Sequence, residues 1–173
     1  MKTGLPPIVS QQSTILILGT MPGEKSIAAQ QYYANRGNHF WKILFMVFDE
    51  VFSDDYALRM ELLAKHQIAL WNVLAACERE GSGDHKIRNA RVNDFSRFFK
   101  EYPNITHVFF ESKAAQQFYD KLAVRAEGIS YDFLPSVSGL NARFSFAQKL
   151  AAWQTLSEAT PVLDGNSTNN QSK

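Results

Sequence analysis

Residues 15–26, "ILILGTMPGEKS", contain the clearest indication of the fold of this chain. Its apolar run ends at Gly19 and passes through a glycine-rich loop to Lys25 and Ser26. A short apolar run that ends at a glycine turn is typical of a buried strand that leads into a helix. The stretch therefore predicts a strand–loop–helix unit, and in such a fold ligands bind beyond the carboxyl ends of the strands.

Three further apolar runs have the length and the turn boundaries of strands. With the first run, the four predicted strands are residues 14–19, 67–74, 106–111 and 130–135. Helical periodicity fills the segments 39–52, 54–66, 112–124 and 143–156, with Ser112 as a predicted N-cap. This alternation predicts an α/β fold, a three-layer α/β/α sandwich around a central four-stranded parallel sheet. We expect a single domain over residues 1–160 and a polar, disordered tail over 161–173.

The composition limits the cellular compartments in which the protein is expected. The chain has 173 residues, a formal net charge of +1 and one cysteine, Cys77, so an internal disulfide is excluded. A lone cysteine fits a reducing compartment, and neither a signal peptide nor a membrane-spanning run is apparent. We therefore expect a cytoplasmic protein without membrane contact, and we also expect it to be a monomer. Because the net charge is near zero, any nucleic-acid contact must come from a local basic surface.

The glycine loop departs from a triphosphate-binding loop. Such a loop has four residues between its first glycine and the Gly-Lys-Ser/Thr that follows. Here Gly23 arrives one residue early, Glu24 separates it from Lys25, and Pro22 removes one backbone N–H. A nucleotide-processing enzyme, with Glu111 as a magnesium-binding strand end, remains an alternative, as does a turn that binds no ligand.

Four segments resemble the uracil-DNA glycosylase superfamily, and within it the hypoxanthine-DNA (deoxyinosine) glycosylase branch. They are "GTMPGEKSIAAQQYYANRGNHFWKILF" (19–45), "ALWNVLAACEREGSGDHKIRNARVNDF" (69–95), "HVFFESKAAQQFY" (107–119) and "FLPSVSGLNARFSFAQKLAAW" (133–153). The resemblance implies a monofunctional DNA repair glycosylase with the superfamily's fold and without metal or organic cofactor. Such an enzyme flips hypoxanthine, or uracil or xanthine, out of DNA and hydrolyses its N-glycosidic bond. A non-catalytic DNA-binding relative is the alternative.

The resemblance also implies roles for residues near the glycine loop. Most relatives carry Asn or Asp directly before the loop proline, where this chain has the inert Met21. In the branch the catalytic amide belongs to an Asn-x-Phe-Trp motif, which assigns it to Asn38. The same asparagine also fits a helix N-cap. Thr20 and Met21 are expected beside the base.

Base recognition is expected from an amide and an aromatic face. Asn72 ends the second strand where relatives carry an asparagine that pairs with the base edge, although it could simply cap the next turn. Tyr32, Tyr33 and Phe40 are the stacking candidates, and Phe40 is the first choice.

DNA contacts are expected from the glycine loop and from residues 135–143. The predicted contacts are Gly23, Ser136, Ser138, Leu140, Asn141 and Arg143. Leu140 is interpreted either as a wedge that fills the vacated base position or as a buried loop leucine. Leu134 stands where many superfamily members carry a histidine. The basic segment 77–95 is either a solvated face, with a Glu78–Arg79 ion pair, or a DNA-facing loop.

Overall fold

Strands and helices alternate along residues 1–160, the part of the chain that the computed structural model describes. The strands are β1 (Lys2–Thr3), β2 (Ile15–Gly19), β3 (Ile68–Asn72), β4 (Leu74–Glu78), β5 (Arg88–Val92), β6 (His107–Phe110) and β7 (Ser130–Phe133). The helices are α1 (Glu24–Ala29), α2 (Phe40–Val47), α3 (Tyr56–Lys65), α4 (Phe95–Glu101), α5 (Lys113–Leu122), α6 (Phe146–Trp153) and α7 (Thr155–Ala159). The predicted disordered tail, 161–173, lies outside the described residues.

A four-stranded parallel sheet forms the centre of the molecule, as the sequence predicts. Its strand order is β3-β2-β6-β7, and all three pairings are parallel. Every residue of β2 is buried, because this central strand is covered on both faces. Alternate residues of β2 enter two different cores: Ile15 and Ile17 face one, and Leu16 and Leu18 face the other.

The two cores give the fold its three layers. Ile15 and Ile17 pack with buried residues of α2, α3 and α6, such as Trp41, Leu63 and Trp153. Leu16 and Leu18 pack with residues of α4 and α5, such as Phe98 and Tyr119. The predicted α/β/α sandwich is therefore confirmed.

A second sheet was not predicted. The run 67–74 is not one strand: β3 ends at Asn72, and β4 starts at Leu74 in a three-stranded antiparallel sheet of order β1-β4-β5. Much of the basic segment 77–95 therefore forms the β4–β5 hairpin, which continues into the unpredicted helix α4. The predicted Glu78–Arg79 ion pair is wrong, because Arg79 lies 3.8 Å from Asp84 and Glu78 accepts a hydrogen bond from Asn89.

Two predicted helices have different bounds. The helix predicted over 39–52 ends at Val47. The helix predicted over 143–156 begins only at Phe146, because Ser145 and Gln148 form a capping box, and it is followed by the separate helix α7. The start of α5 is as predicted, since the Ser112 hydroxyl accepts a hydrogen bond from the Ala115 N–H.

The sheet register brings distant residues to one edge. Gly19 lies opposite Asn72 at the carboxyl ends of β2 and β3, and Glu111 directly follows β6 on the other side of β2. Two loops come together above this edge, since the His39 N–H donates to the Val137 carbonyl at 3.0 Å. The edge and the two loops enclose the candidate site.

Candidate active site

A cavity of about 1090 Å³ opens at the carboxyl edge of the parallel sheet. The predicted site residues that line it are Thr20, Met21, Gly23, Tyr32, Tyr33, Asn38, Asn72, Ser136, Ser138 and Leu140. Among the described residues, Phe40, Asn141 and Arg143 were predicted for the site but do not line the cavity. Residues from four separate parts of the sequence thus share one site, large enough for a small organic ligand.

Gly19 creates a polar corner at the bottom of the cavity. A Cβ atom at this position would lie 2.9 Å from Asn72 Nδ2, 3.1 Å from Glu111 Oε1 and 3.4 Å from the Tyr33 hydroxyl. Three polar groups from three segments therefore approach one point, and a Cβ there would displace the ends of the Asn72 and Glu111 side chains.

Asn72 contributes a buried polar side chain to this corner. The residue is 6% exposed, and its Oδ1 atom is buried without a hydrogen-bond partner in the described part of the chain. A buried acceptor left unpaired costs about 1–3 kcal/mol, which a ligand with a matching donor would recover. The interpretation of Asn72 as a turn cap through its side chain gains no support, since the Asn93 side chain bonds to the Asn72 backbone carbonyl instead.

Glu111 is a cavity residue to which the sequence assigned no role in a glycosylase. Burial and the negative charge of Asp84 raise the pKa of the Glu111 carboxyl from 4.5 to about 8. At neutral pH the side chain is therefore mainly a neutral acid and can donate a hydrogen bond. Its place at the end of a central parallel strand was the signal that could have identified it.

A buried arginine fixes the β4–β5 hairpin against the glycine loop. The Arg79 guanidinium donates to the carbonyls of Pro22, at 2.5 Å, and Gly81, at 3.1 Å. Asp84, in the 3₁₀ turn Asp84–Lys86, lies beside this cation and lines the cavity. Burial raises the pKa of the Asp84 carboxyl, and its hydrogen bond with Thr20 and the charge of Arg79 oppose that shift. Asp84 was not predicted from the sequence, because the hairpin that carries it has the composition of a loop.

Asn38 occupies the cavity wall and also supports helix α2. Its Oδ1 accepts a hydrogen bond from the Phe40 N–H at 2.8 Å, so the Asn38 side chain caps the first N–H of α2 as the capping interpretation predicts. The formal N-cap residue is His39, not Asn38. With its oxygen engaged, the Asn38 amide can offer its NH₂ group to a ligand in the cavity.

The aromatic wall is built on Tyr33. Its ring stacks on Phe40 with centroids 3.8 Å apart and an interplanar angle of 11°. Phe40, which was predicted as the first choice for stacking on the base, is completely buried. Its ring lies behind Tyr33 and does not reach the cavity. Tyr33 has φ of 53°, a left-handed conformation that is unfavourable for an aromatic residue and that often marks functional sites. Tyr32 donates its hydroxyl to the Pro6 carbonyl and mainly supports the loop.

The loop 136–141 forms the opposite rim. The hydroxyls of Ser136 and Ser138 accept hydrogen bonds from the N–H groups of Ser138 and Leu140, both at 3.3 Å. The Asn141 amide donates to the Ser136 carbonyl, and the buried Lys149 donates to the Ser138 carbonyl. These bonds stiffen the loop.

Two leucines flank this rim in opposite environments. Leu140 is 95% exposed at the cavity mouth, so its interpretation as a buried loop leucine is wrong. Leu134 is buried in the hydrophobic core and offers no polar group to the cavity. Met21 is likewise buried and apolar, with its side chain in the other core.

Comparisons with known proteins agree with this architecture. The model of the uracil DNA glycosylase superfamily matches residues 6–157. The chain is 38% identical to a hypoxanthine DNA glycosylase of Methanosarcina barkeri, over 88% of this chain and 95% of the relative. It is 39% identical to a hypoxanthine DNA glycosylase of Methanosarcina acetivorans, over 83% of this chain and 90% of the relative. A solution NMR structure of a candidate uracil DNA glycosylase from Methanosarcina acetivorans superimposes with a TM-score of 0.77 at 36% identity, covering 90% of this chain and 98% of that one.

Proposed function

This chain belongs to the uracil DNA glycosylase superfamily, and we propose that it is a monofunctional DNA repair glycosylase that excises hypoxanthine from DNA. Uracil and xanthine are secondary substrates. The observation that carries the proposal is the Asn72 amide, which has an unpaired buried acceptor at the bottom of a cavity of about 1090 Å³. An amide offers one donor and one acceptor, which match the adjacent carbonyl and N–H of hypoxanthine or uracil.

The cavity walls supply the remaining requirements of base excision. An extruded base enters the corner beside Gly19, pairs with Asn72 and lies against Tyr33. The Asn38 amide orients a water molecule toward the sugar carbon, which gains positive charge as the bond to the base breaks. The water oxygen then bonds to that carbon and leaves an abasic site. No metal or organic cofactor enters this reaction.

The loop 136–141 is the proposed contact with the DNA backbone and stack. Leu140 projects from the rim and fills the space that the extruded base leaves in the duplex. Gly23, the serines of this loop and Arg143 contact phosphates, and Asn141 keeps the loop in shape.

The cellular setting is proposed from the same function. We place the enzyme in the cytoplasm, as a monomer with one catalytic domain over residues 1–160. Within those residues, no helix combines the length and the apolarity that crossing a bilayer requires.

A strand-cleavage assay tests the proposal. The protein is incubated with duplexes that carry one hypoxanthine, uracil or xanthine, and hot alkali then cleaves any abasic site. We expect strand cleavage with hypoxanthine to exceed that with uracil. Binding to these duplexes without cleavage of any of them would identify a non-catalytic relative instead. Magnesium-dependent binding of a nucleoside triphosphate would support the nucleotide-processing alternative.

A further inference from the structure

The Glu111 carboxyl lies in the base corner, the corner beside Gly19 where Asn72, Glu111 and Tyr33 meet, but it takes no part in the proposed base pairing, stacking or water orientation. It directly follows β6, and its Oε1 atom lies 3.1 Å from the position that a Gly19 Cβ would occupy. Asn72 Nδ2 lies 2.9 Å from the same position. The carboxyl therefore stands beside the amide to which we assign the base edge, within reach of the same ligand.

In the described part of the chain, no cationic side chain pairs with this carboxyl. The titratable side chains that line the cavity with it are Glu24, Lys25, Tyr32, Tyr33, His39, Asp84 and His85. Of these, Lys25 is exposed, and Glu24 is paired with Lys2. Asp84 adds negative charge to the site, and its arginine partner, Arg79, also donates to two backbone carbonyls.

These surroundings keep a proton on Glu111 at neutral pH. Burial and the charge of Asp84 hold its pKa at about 8. The Tyr33 hydroxyl beside it also remains protonated, because burial and Glu111 raise the pKa of that tyrosine. The base corner thus contains a neutral carboxylic acid, the form that general acid catalysis near pH 7 requires.

We propose that Glu111 is the general acid of the glycosylase, which protonates the departing base; this inference rests on the proposed function. As the bond between the base nitrogen and the sugar carbon breaks, both electrons remain with the base. The Glu111 proton moves to an acceptor nitrogen of the purine ring, so the base leaves as neutral hypoxanthine. Water adds to the sugar carbon and releases one proton, which restores the Glu111 acid directly or through solvent.

Two apolar positions near the base corner show why such an acid is useful. A departing base gains negative charge, and Leu134 and Met21 offer that charge neither a proton nor a hydrogen bond. Asn72 can donate one hydrogen bond but cannot transfer a proton. Glu111 supplies what these residues do not.

Single-turnover release of hypoxanthine from a duplex, measured from about pH 6 to about pH 10, tests the inference. The wild type, Glu111→Gln and the control Glu61→Gln, an exposed glutamate of α3, are compared. We expect the wild-type and Glu61→Gln rates to fall above about pH 8, as Glu111 loses its proton. Glu111→Gln should be about 100- to 10,000-fold slower at neutral pH and should lack this fall.

The outcomes separate the two proposals. If the wild type releases no base at any pH, the proposed function fails. If the wild type releases base and Glu111→Gln matches its rate or keeps the same alkaline fall, the fall belongs to the substrate and Glu111 is not the acid.

A second variant keeps the inference testable if Glu111→Gln does not fold. Asp84→Asn removes the negative charge that raises the pKa of Glu111, so the alkaline fall should move to lower pH. A fall that stays at the wild-type pH would overturn the assignment.

Discussion

Asn38 combines a structural and a proposed catalytic task in one side chain. Its oxygen accepts the Phe40 N–H at the start of α2, and its amide nitrogen is available to the cavity. The hydrogen bond fixes the side-chain orientation before any substrate binds. A positioned amide of this kind spares the reaction the cost of ordering it.

The change Asn38→Ala should cause a large loss of excision rate and only a small loss of stability. We expect the single-turnover rate of hypoxanthine excision to fall at least about 100-fold, as when one positioned donor is removed from an active site. The lost cap should cost about 1 kcal/mol of unfolding free energy. Asp55→Ala is a matched control, because Asp55 accepts the N–H of the residue two positions later at 2.9 Å, outside the cavity. It should lose similar stability and keep full activity; equal activity of the two variants would remove Asn38 from catalysis.

Leu140 can be tested without a folding penalty. Because it is 95% exposed, Leu140→Ala should leave the melting temperature unchanged. Loss of the wedge should slow base extrusion from duplex DNA, and we expect about 10-fold slower excision, since unstacking costs a few kcal/mol per step. Excision from single-stranded DNA should change less, because there is no stack to open.

Val124→Ala is the control for Leu140→Ala. Val124 is 87% exposed just after α5, outside the cavity. Val124→Ala should leave the excision rate unchanged on both duplex and single-stranded DNA. Equal excision by the Leu140 and Val124 variants on duplex DNA would contradict the wedge.

At the scale of elements, the parallel sheet was predictable and the antiparallel sheet was not. Buried parallel strands are continuous apolar runs, so β2 and β6 were clear from the sequence. Strand β5 has only partly buried or exposed residues, and its pairing with β4 is interrupted by register shifts. Such a hairpin has the composition of a loop, and only its long-range pairing identifies it.

The same limit applies to the site. Asn38, Asn72 and the glycine loop were identified because motifs and strand ends indicated them. Phe40 was misplaced because helical periodicity shows that a face is apolar but not whether it meets the core or a cavity. The buried Arg79 guanidinium donates to two backbone carbonyls, one distant in sequence and one two residues away in a turn. No local sequence pattern reveals such contacts.

Close contact between two loops should be essential for the cavity. A Cβ on Gly139 would lie 2.5 Å from the Gly37 carbonyl oxygen, so Gly139→Ala must separate the loop of Asn38 from the loop of Leu140. We expect at least about 10-fold slower excision, because misplacement by about 1 Å can cost 100-fold. The excision rate and the melting temperature of Gly139→Ala should be measured alongside those of a control variant.

Gly128→Ala is the control for that change. Gly128 has φ of +76° and open space around it, so alanine there adds backbone strain, about 1 kcal/mol, without a collision. It should lower stability and preserve activity. If Gly139→Ala retained full activity, close approach of the two loops would not be required.

At the scale of the whole molecule, the cavity exists at a cost in stability. The folded chain holds the Glu111 proton with a pKa of about 8, against 4.5 for an ordinary glutamate. Between these pH values the folded state binds more protons than the unfolded state, so the free energy of unfolding falls as pH rises. The contribution is neutral below pH 4.5 and fully unfavourable above about pH 8.

Glu111→Gln should therefore stabilise the protein at alkaline pH. We expect its free energy of unfolding at about pH 9 to exceed that of the wild type by on the order of a few kcal/mol, with little difference at about pH 4. Denaturant titrations at both pH values measure this difference, and Glu61→Gln should show none of it. If the wild type and Glu111→Gln differ in free energy of unfolding by the same amount at both pH values, Glu111 titrates normally.

Detection of the released base is a direct test of whether the protein is a hypoxanthine DNA glycosylase that depends on Asn38. Duplex DNA with one hypoxanthine is mixed with excess wild-type or Asn38→Ala protein, and free bases are separated and quantified by chromatography. The wild type should release one equivalent of free hypoxanthine and leave an intact strand with an abasic site, while Asn38→Ala releases it at least about 100-fold more slowly. Binding of this DNA without release of hypoxanthine would show that the protein is not a hypoxanthine DNA glycosylase.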